Sequence, residues 1–335
     1  MDVFRSMDEL GTGLAGPVVL TVGFFDGLHR GHRLLLDLLA TSARRLGARS
    51  LAITFTNSPR GFHYPDKQYP YLTMPEEKLW LLASTDIDAV LMVEYDASIA
   101  AQSAAQFLRG LGERIELAGL CSGYDSKLGN DQIAGREGFE QLAAELGIEL
   151  IFVAALAEDG QPVKSRRARE LVRRGRVAEA RAFLDHPYFV LGPVVHGKGK
   201  GARALSVATA NLELPPRKLA PPTGIYACRG EVAGRRYPAA VCVMTAILHQ
   251  STVLERGELP GDEVMGDRRT VVEAHLVGFE GKLYGQALRI DFIEYLRAWI
   301  DFETPAALHD QILCDIEATL DVFEREPELL EAGHG

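Results

Sequence analysis

From Val18 to Val22 the chain is apolar and β-branched, and after His32 leucines recur at helical spacing. Between these runs lie Gly23, Asp26, Gly27, His29, Gly31 and His32. The pattern predicts a strand, a loop rich in flexible and titratable residues, and a helix. Gly47 ends that helix, and "SLAITF" (50–55) is the next strand. Alternation continues through helix "PEEKLWLLAS", strand "DAVLMVEY", helix "SAAQFLRGL", strand "IELAGLC", helix "GREGFEQLAAELG" and strand "IELIFVAAL". Short apolar strands alternating with helices predict an α/β domain, a doubly wound parallel sheet covered on both faces. Ligands of such sheets bind beyond the C-terminal strand ends, where the histidine loop falls.

"KSRRARELVRRGRVAEARAFL" is helical and basic, and "DHPYFVLGP" then breaks the pattern with Pro187, Gly192 and Pro193. A domain boundary is expected there, giving domains 1–186 and 187–335. Beyond it, short alternating runs with many turn signals, "GIYACRGEVAGRRYPAAVCVM" and "TVVEAHLVGFEGKLYGQALRIDFIEYL", predict a small antiparallel β-barrel. A terminal amphipathic helix follows, with Thr304 as N-cap and Pro305 at its first position.

Composition narrows the picture. A chain of 335 residues suits two domains, each long enough to bury a core. A net charge of −10 argues against broad adhesion to nucleic acid or anionic membrane, while small anionic substrates remain open. Cys121, Cys228, Cys242 and Cys314 show neither a pairing pattern nor metal-ligand spacing, and are expected to be reduced core residues. The opening "MDVFRSMDELGTG" has no apolar run, so neither a signal peptide nor a membrane span is expected, and the expected compartment is the cytoplasm.

His29, Gly31 and His32, with a strand before and a helix after, match the H-x-G-H signature of nucleotidylyl transferases. Glycines admit backbone close to phosphate oxygens, a helix N-terminus offers unpaired N–H groups, and imidazoles donate to charge growing at phosphorus. "GYDSKLGN" places Asp125 at a strand end, and "VKSRRAR" places Ser165, Arg166 and Arg169 at a helix start. Cations and a hydroxyl there suit a triphosphate, although an Arg-rich helix is also an ordinary solvated face. "HGKGKGARALSVATANLEL" sets Gly197, Gly199 and Gly201 ahead of Thr209 and Asn211. Gly-rich backbone can wrap phosphates and a threonine hydroxyl can ligate Mg²⁺; a flexible basic hairpin is the other reading. Glu273 interrupts an apolar strand, either as a general base or as a solvent-facing residue of the alternation.

Taken in order, "GFFDGLHRGH", "HPYFVLGPVVHGKGKG", "ATANL", "VEAHLVGFEGKLYG" and "EYLRAWIDF" resemble the bifunctional riboflavin kinase/FMN adenylyltransferase family, the prokaryotic FAD synthetases. The resemblance covers nearly the whole chain. It implies an N-terminal nucleotidylyltransferase domain, a C-terminal riboflavin-kinase-like β-barrel, and two reactions using ATP, Mg²⁺, riboflavin and FMN. By position, His29 and His32 match the histidines that stabilise adenylyl transfer, with Gly23, Phe24, Asp26 and Gly31 shaping the phosphate loop. Asp125, Ser165, Arg166 and Arg169 match further nucleotide and flavin contacts. Thr209 and Asn211 match the Mg²⁺–ATP residues, Glu273 the base acting on the ribityl hydroxyl, and Arg297 an arginine near the flavin. The partners implied are these small molecules, with no nucleic acid or membrane, for a monomer or weak homo-oligomer.

The chain also departs from the family pattern. Asn57, Ser58 and Pro59 replace Pro-His-Pro, Ser126 and Leu128 replace two aromatics, and Lys164, Ser165 and Arg166 replace Ser-Ser-Thr. Ser206, Val207 and Ala208 replace Gly-Phe-Pro, and "VMTAILHQST" lacks the Asn-Ile-Gly and Pro-Thr pattern. Two alternatives therefore stay open: a diverged enzyme with another nucleotide or flavin analogue, and a non-catalytic binder with one or both sites degenerate. The lack of an extended basic surface argues against an aminoacyl-tRNA synthetase, which shares the histidine motif.

Overall fold

The computed structural model describes residues 1–67, 70–158, 161–195, 209–247 and 268–331. By packing the chain forms two units, one of residues 1–69 and 74–165, the other of residues 70–73 and 166–335.

In chain order the first unit begins β1 (Asp2–Phe4), α1 (Met7–Gly13), β2 (Pro17–Val22), α2 (Arg30–Arg45), β3 (Arg49–Phe55), α3 (Pro59–His63), α4 (Pro75–Leu82) and β4 (Ala89–Val93). It continues with α5 (Ala97–Ala100), α6 (Ala104–Gly112), β5 (Glu116–Gly123), β6 (Lys127–Leu128), β7 (Ile133–Ala134), α7 (Gly135–Leu146) and β8 (Glu149–Val153). Six strands in the order β1-β4-β3-β2-β5-β8 form a parallel sheet, as the alternation predicts. Val18, Leu20, Leu51, Ile53, Ala89 and Leu91 share a core with Leu10, Phe107, Leu111 and Phe139 of α1, α6 and α7. The intervening positions Val19, Ala52 and Val90, also buried, belong to the opposite face, where α2 lies across β2, β3 and β5. After β2 the chain builds outward through β3 and β4, then returns to place β5 on β2's other side. That reversal is a switch point, and the histidine loop leaves β2 at its C-terminal end.

Two two-residue strands, β9 (Ala157–Glu158) and β10 (Gln161–Pro162), precede α8 (Ser165–Arg173) and α9 (Val177–Leu184). The stretch expected to be helical and basic forms two helices, because Gly175 takes φ +72° and stops the first. The barrel strands are β11 (Tyr188–Pro193), β12 (Ala210–Glu213), β13 (Gly224–Val232), β14 (Arg235–Ile247), β15 (Arg268–Leu276) and β16 (Ala287–Arg297). They pair antiparallel in the order β11-β16-β13-β14-β15-β12, and a bridge between Val195 and Asn211 joins the two ends. "DHPYFVLGP", read from sequence as a break, supplies the first barrel strand.

The interior holds Val190, Tyr226, Cys228, Val241, Val272, Ile290 and Phe292, together with Ala168, Leu171, Val172, Val177, Ala180 and Leu184 of α8 and α9. The two helices before residue 186 therefore pack with the barrel. Residues 70–73 join this unit as well. Tyr71 donates its amide to Arg217 at 2.7 Å and accepts from the amide of Leu219 at 2.9 Å. The buried Lys218 ammonium donates to the carbonyls of Leu72 and Phe189, both at 2.7 Å. The C-terminal helix Pro305–Arg325, N-capped by Thr304 as expected, packs Val322 and Phe323 on Ala227 and Ile293. Cys121 and Cys228 are buried and Cys242 half-buried, but Cys314 is exposed on this helix, so the expectation of four core cysteines fails there.

Candidate functional site

At the end of β2 the backbone coils tightly. Phe25, Gly27 and Leu28 take φ of 50°, 78° and 36°, so the loop uses left-handed geometry at three positions, two of them not glycine. A Cβ on Gly23 would lie 2.8 Å from the Phe25 ring, and one on Gly31 would lie 3.3 Å from the His29 ring. Both glycines are therefore set by close approach. His29 is the N-cap of α2, and its Nδ1 accepts from the His32 amide at 3.3 Å. With Nδ1 accepting, a neutral ring carries its proton on Nε2, ready to donate. The His29 and His32 rings stack at 3.7 Å between centroids and 16° between planes, and Phe25 meets His32 edge-on at 5.3 Å. No acidic residue occupies the first turn of α2. Paired imidazoles at the N-terminus of a sixteen-residue helix have the chemistry that suits an anion.

Neighbouring elements fix this loop. Ser165, expected as a nucleotide contact, donates its hydroxyl to the Asp26 carbonyl at 2.9 Å. Thr54 of β3 donates to the Phe24 carbonyl at 3.2 Å. Asp26 is itself buried. Beneath lies Lys78 of α4, which nothing in the sequence pattern singles out. Its ammonium donates to the Phe55 carbonyl at 2.8 Å and to Thr54 Oγ1 at 3.3 Å, and stands 3.9 Å from the Phe24 ring centroid. Burial pulls its pKa down to about 7, against the opposing pull of Asp26.

Asp125 follows β5 and pairs with Lys164 at 3.2 Å, a contact that holds the Lys164 ammonium above its ordinary pKa. Lys164 thus stands where the family has a serine and engages Asp125 instead. Ser126 accepts from the Gly123 amide at 3.1 Å, a turn contact in place of an aromatic ring. Asn57 is a two-way clip between strand ends, donating to the Tyr95 carbonyl at 3.0 Å and accepting from its amide at 2.7 Å. Ser58 caps α3. Beside them Phe55, Phe62 and His63 each meet Tyr95 edge-to-face, with His63 Nε2 and the Tyr95 hydroxyl 3.0 Å apart. Sequence patterning missed this group because its members come from β3, α3 and the segment after β4.

In the second unit, Arg166 is exposed on α8 and Arg169 half-buried. Gly197, Gly199 and Gly201 lie outside the described residues. Thr209 and Glu273 come together: the Thr209 hydroxyl donates to Glu273 Oε1 at 2.6 Å, and Asn211 stands opposite Glu273 in the β12–β15 ladder. Glu273 is half-buried, which decides its position in the alternation against free exposure. Cys242 faces it across the β14–β15 ladder. Burial pushes the Cys242 thiol up to about 12, with Glu273 and Asp315 adding to the rise and Arg297 opposing it. The charges of Glu273, Arg297 and Asp315 therefore converge on one region of the barrel. Arg297 is gripped in a two-pronged pair by Asp315 of the C-terminal helix, at 2.7 and 2.6 Å.

The donors near Glu273 are a hydroxyl, a carboxylate and an amide, hard oxygen ligands of the kind Mg²⁺ takes. Among the described residues no group of three or more His, Cys, Asp or Glu side chains could hold a metal by itself. The set fits an ion completed by nucleotide phosphates and water, as Mg²⁺ usually is.

A glycine-bearing loop with paired histidines in one unit, and a hydroxyl–carboxylate pair at the β12–β15 edge of the barrel in the other, are the arrangements a phosphorus-transfer enzyme with two centres would need. A family model described as FAD synthetase matches residues 14–167, and one described as riboflavin kinase matches residues 184–323. The bifunctional riboflavin kinase/FMN adenylyltransferase of Escherichia coli strain K12 is 30% identical over 326 residues, 94% of this chain and 96% of that protein. Its namesake from Bacillus subtilis strain 168 is 28% identical, over 91% of this chain and 92% of that protein. A crystal structure described as a macrolide-efflux protein from Streptococcus pneumoniae superposes with a TM-score of 0.78 at 22% identity, covering 95% of this chain and 99% of that one; it bears on the fold alone. The chain belongs to the bifunctional riboflavin kinase/FMN adenylyltransferase family. No helix among the described residues is long and apolar enough to cross a membrane.

Proposed function

We propose that this chain phosphorylates riboflavin to FMN in its barrel and adenylylates FMN to FAD in its α/β unit, consuming one ATP at each step. What carries the assignment is that each unit keeps its reactive set assembled despite the altered motifs around it. His29 and His32 stack at the N-terminus of α2, and Thr209 and Glu273 share a hydrogen bond in the barrel.

In the barrel, Glu273 accepts the proton of the terminal ribityl hydroxyl as that oxygen attacks the γ-phosphorus of ATP. Bound Mg²⁺, held through Thr209 with Asn211 beside it, would neutralise phosphate charge. Arg297 stands at the flavin side of this centre, steadied by Asp315. In the α/β unit, an oxygen of the FMN phosphate attacks the α-phosphorus of the second ATP and pyrophosphate leaves. Gly23, Phe24, Asp26 and Gly31 shape the cradle, and His29 and His32 donate to the oxygens that gain charge. The aromatic cluster of Phe55, Phe62 and Tyr95 offers ring faces and edges to a flavin. Asp125, Ser165, Arg166 and Arg169 are further nucleotide contacts of this reading, and the glycines at 197, 199 and 201 belong to the ATP contacts of the kinase half. The functional division at 186/187 and a cytoplasmic setting, where ATP is supplied, belong to it too.

Incubation with riboflavin, ATP and Mg²⁺, followed by chromatography, tests the whole. FAD is the expected product. FMN alone would remove the adenylyl half of the proposal, and unchanged riboflavin would remove the kinase half.

A further inference from the structure

Lys78 belongs to "PEEKLWLL", where two glutamates precede it and solvent exposure is the ordinary expectation. It is instead 1% exposed. An ammonium this deep is retained only where its donors are engaged and a countercharge is near. Lys78 has both, and apart from the Phe55 carbonyl they lead to the phosphate loop. Phe55 and Thr54 take its N–H groups at 2.8 and 3.3 Å, Thr54 passes on to the Phe24 carbonyl at 3.2 Å, and the Phe24 ring sits 3.9 Å from the charge.

The charged groups around Lys78 are few. Asp26, 3% exposed, acts on it from the loop after β2. On its own helix, Glu77 accepts from the Met74 amide at 2.7 Å and Glu76 pairs with Arg5 at 3.3 Å, so both are engaged elsewhere. No acidic residue occupies the first turn of α2. One carboxylate therefore works against full burial, and near pH 7 the protein is divided between ammonium and amine forms. Phosphates seated on the His29–His32 end of α2 would bring further negative charge to the far side of the same loop.

We propose that Lys78 is the countercharge of the phosphate loop, taking up a proton from solvent when the nucleotide binds the adenylyl-transfer unit and thereby holding Phe24 and Asp26 in their binding positions. Lys78 is in this sense a positioning residue, buried below the loop rather than touching the reacting atoms. The inference rests on the adenylyltransferase reading for the identity of the ligand. By linkage, whatever favours the proton favours the nucleotide. Each unit by which phosphate raises the Lys78 pKa makes nucleotide binding about tenfold tighter below pH 7 than well above it.

The test is calorimetric titration of the full chain with Mg²⁺–ATP in buffers of different ionisation enthalpy, for the parent, Lys78→Met and Lys78→Arg. Subtracting a variant from the parent cancels the protonation of ATP itself and of ATP bound by the barrel. At pH 7.5 the parent should take up about half a proton more than either variant, and at pH 6 the difference should vanish, since the group is then already charged. In FAD formation from supplied FMN, Lys78→Met should raise KM for ATP about fivefold at pH 7 and lose the pH dependence. Lys78→Arg, permanently charged, should keep KM within about threefold. Equal proton uptake in parent and variants overturns the proposal, and so does an unchanged pH profile in Lys78→Met. Should the Met variant fail to fold, Lys78→Arg decides alone, because its uptake must be absent while its ATP use persists. A parent that binds ATP with this uptake but makes no FAD would refute the adenylyltransferase reading and leave the inference standing.

Discussion

Glu273 emerges half-buried from β15 with the Thr209 hydroxyl directed to its Oε1 at 2.6 Å, which leaves the second carboxylate oxygen to take a substrate proton. Replacement by glutamine keeps shape and removes basicity. Glu273→Gln should slow FMN formation by about 10²–10⁴-fold, the usual range for a positioned base, while FAD formation from added FMN continues. Phosphorylation at the parental rate would make Glu273 structural. Lys78 carries a second consequence at this scale. Its folded pKa of about 7 lies below the ordinary lysine value of 10.5, so between those pH values the unfolded chain binds more protons. Stability then rises with pH across that window, by up to about 1.4 kcal/mol per pH unit from this group. Relative to Lys78→Met, the parent's α/β unit should gain stability from pH 7 to pH 10, as followed by denaturant unfolding; a constant difference would contradict the burial argument. The two residues differ in legibility. Glu273 stands out because a charge interrupts an apolar strand, whereas Lys78 looks like any helix lysine, and only the packing of α4 at the end of β3 takes it inside.

Elements whose burial is encoded in their own periodicity were legible. The parallel strands are short apolar runs, α2 carries its leucines on one face, and Thr304 with Pro305 marks the start of the last helix. Partnership between elements was not legible. α8 and α9 follow the α/β unit without a compositional break, yet their apolar stripe of Ala168, Leu171, Val172, Ala180 and Leu184 is complementary to the barrel interior. Asn57 looked like the loss of a motif; its amide in fact mimics a strand partner for both backbone groups of Tyr95. Asp315 is the corresponding case in the second unit, an acidic residue on an amphipathic helix that proves to grip Arg297 with both oxygens, at 2.7 and 2.6 Å. With the Asp315 side chain 9% and the Arg297 side chain 23% exposed, this pair is shielded enough to count. Asp315→Ala should lower the barrel's stability by about 1–3 kcal/mol, measured in denaturant, because Arg297 is left without its carboxylate. It should also raise KM for riboflavin in the kinase assay. An unaltered midpoint and KM would show that the C-terminal helix has no part in setting Arg297.

At the scale of the molecule, each unit has its own hydrophobic core and its own proposed reactive set, and the family matches fall one on each, at residues 14–167 and 184–323. Damage to one centre should therefore leave the other's chemistry running, and the product mixture reports which has failed. The sharpest case is the double variant His29→Ala, His32→Ala. His29 is also the N-cap of α2, and alanine there costs on the order of 1 kcal/mol of stability, too little to unfold a unit with so large a core. What the variant loses is the pair of donors at the N-terminus of α2. Removal of one transition-state donor is worth about 2.7–4 kcal/mol in comparable oxyanion sites, so loss of both should bring adenylyl transfer close to background. Riboflavin, ATP and Mg²⁺ should then yield FMN at the parental rate, with FMN accumulating where the parent passes it on to FAD. A chromatographic time course distinguishes the outcomes. Undiminished FAD would remove His29 and His32 from the reaction, and a matching fall in FMN formation would show that the barrel's chemistry depends on the α/β unit.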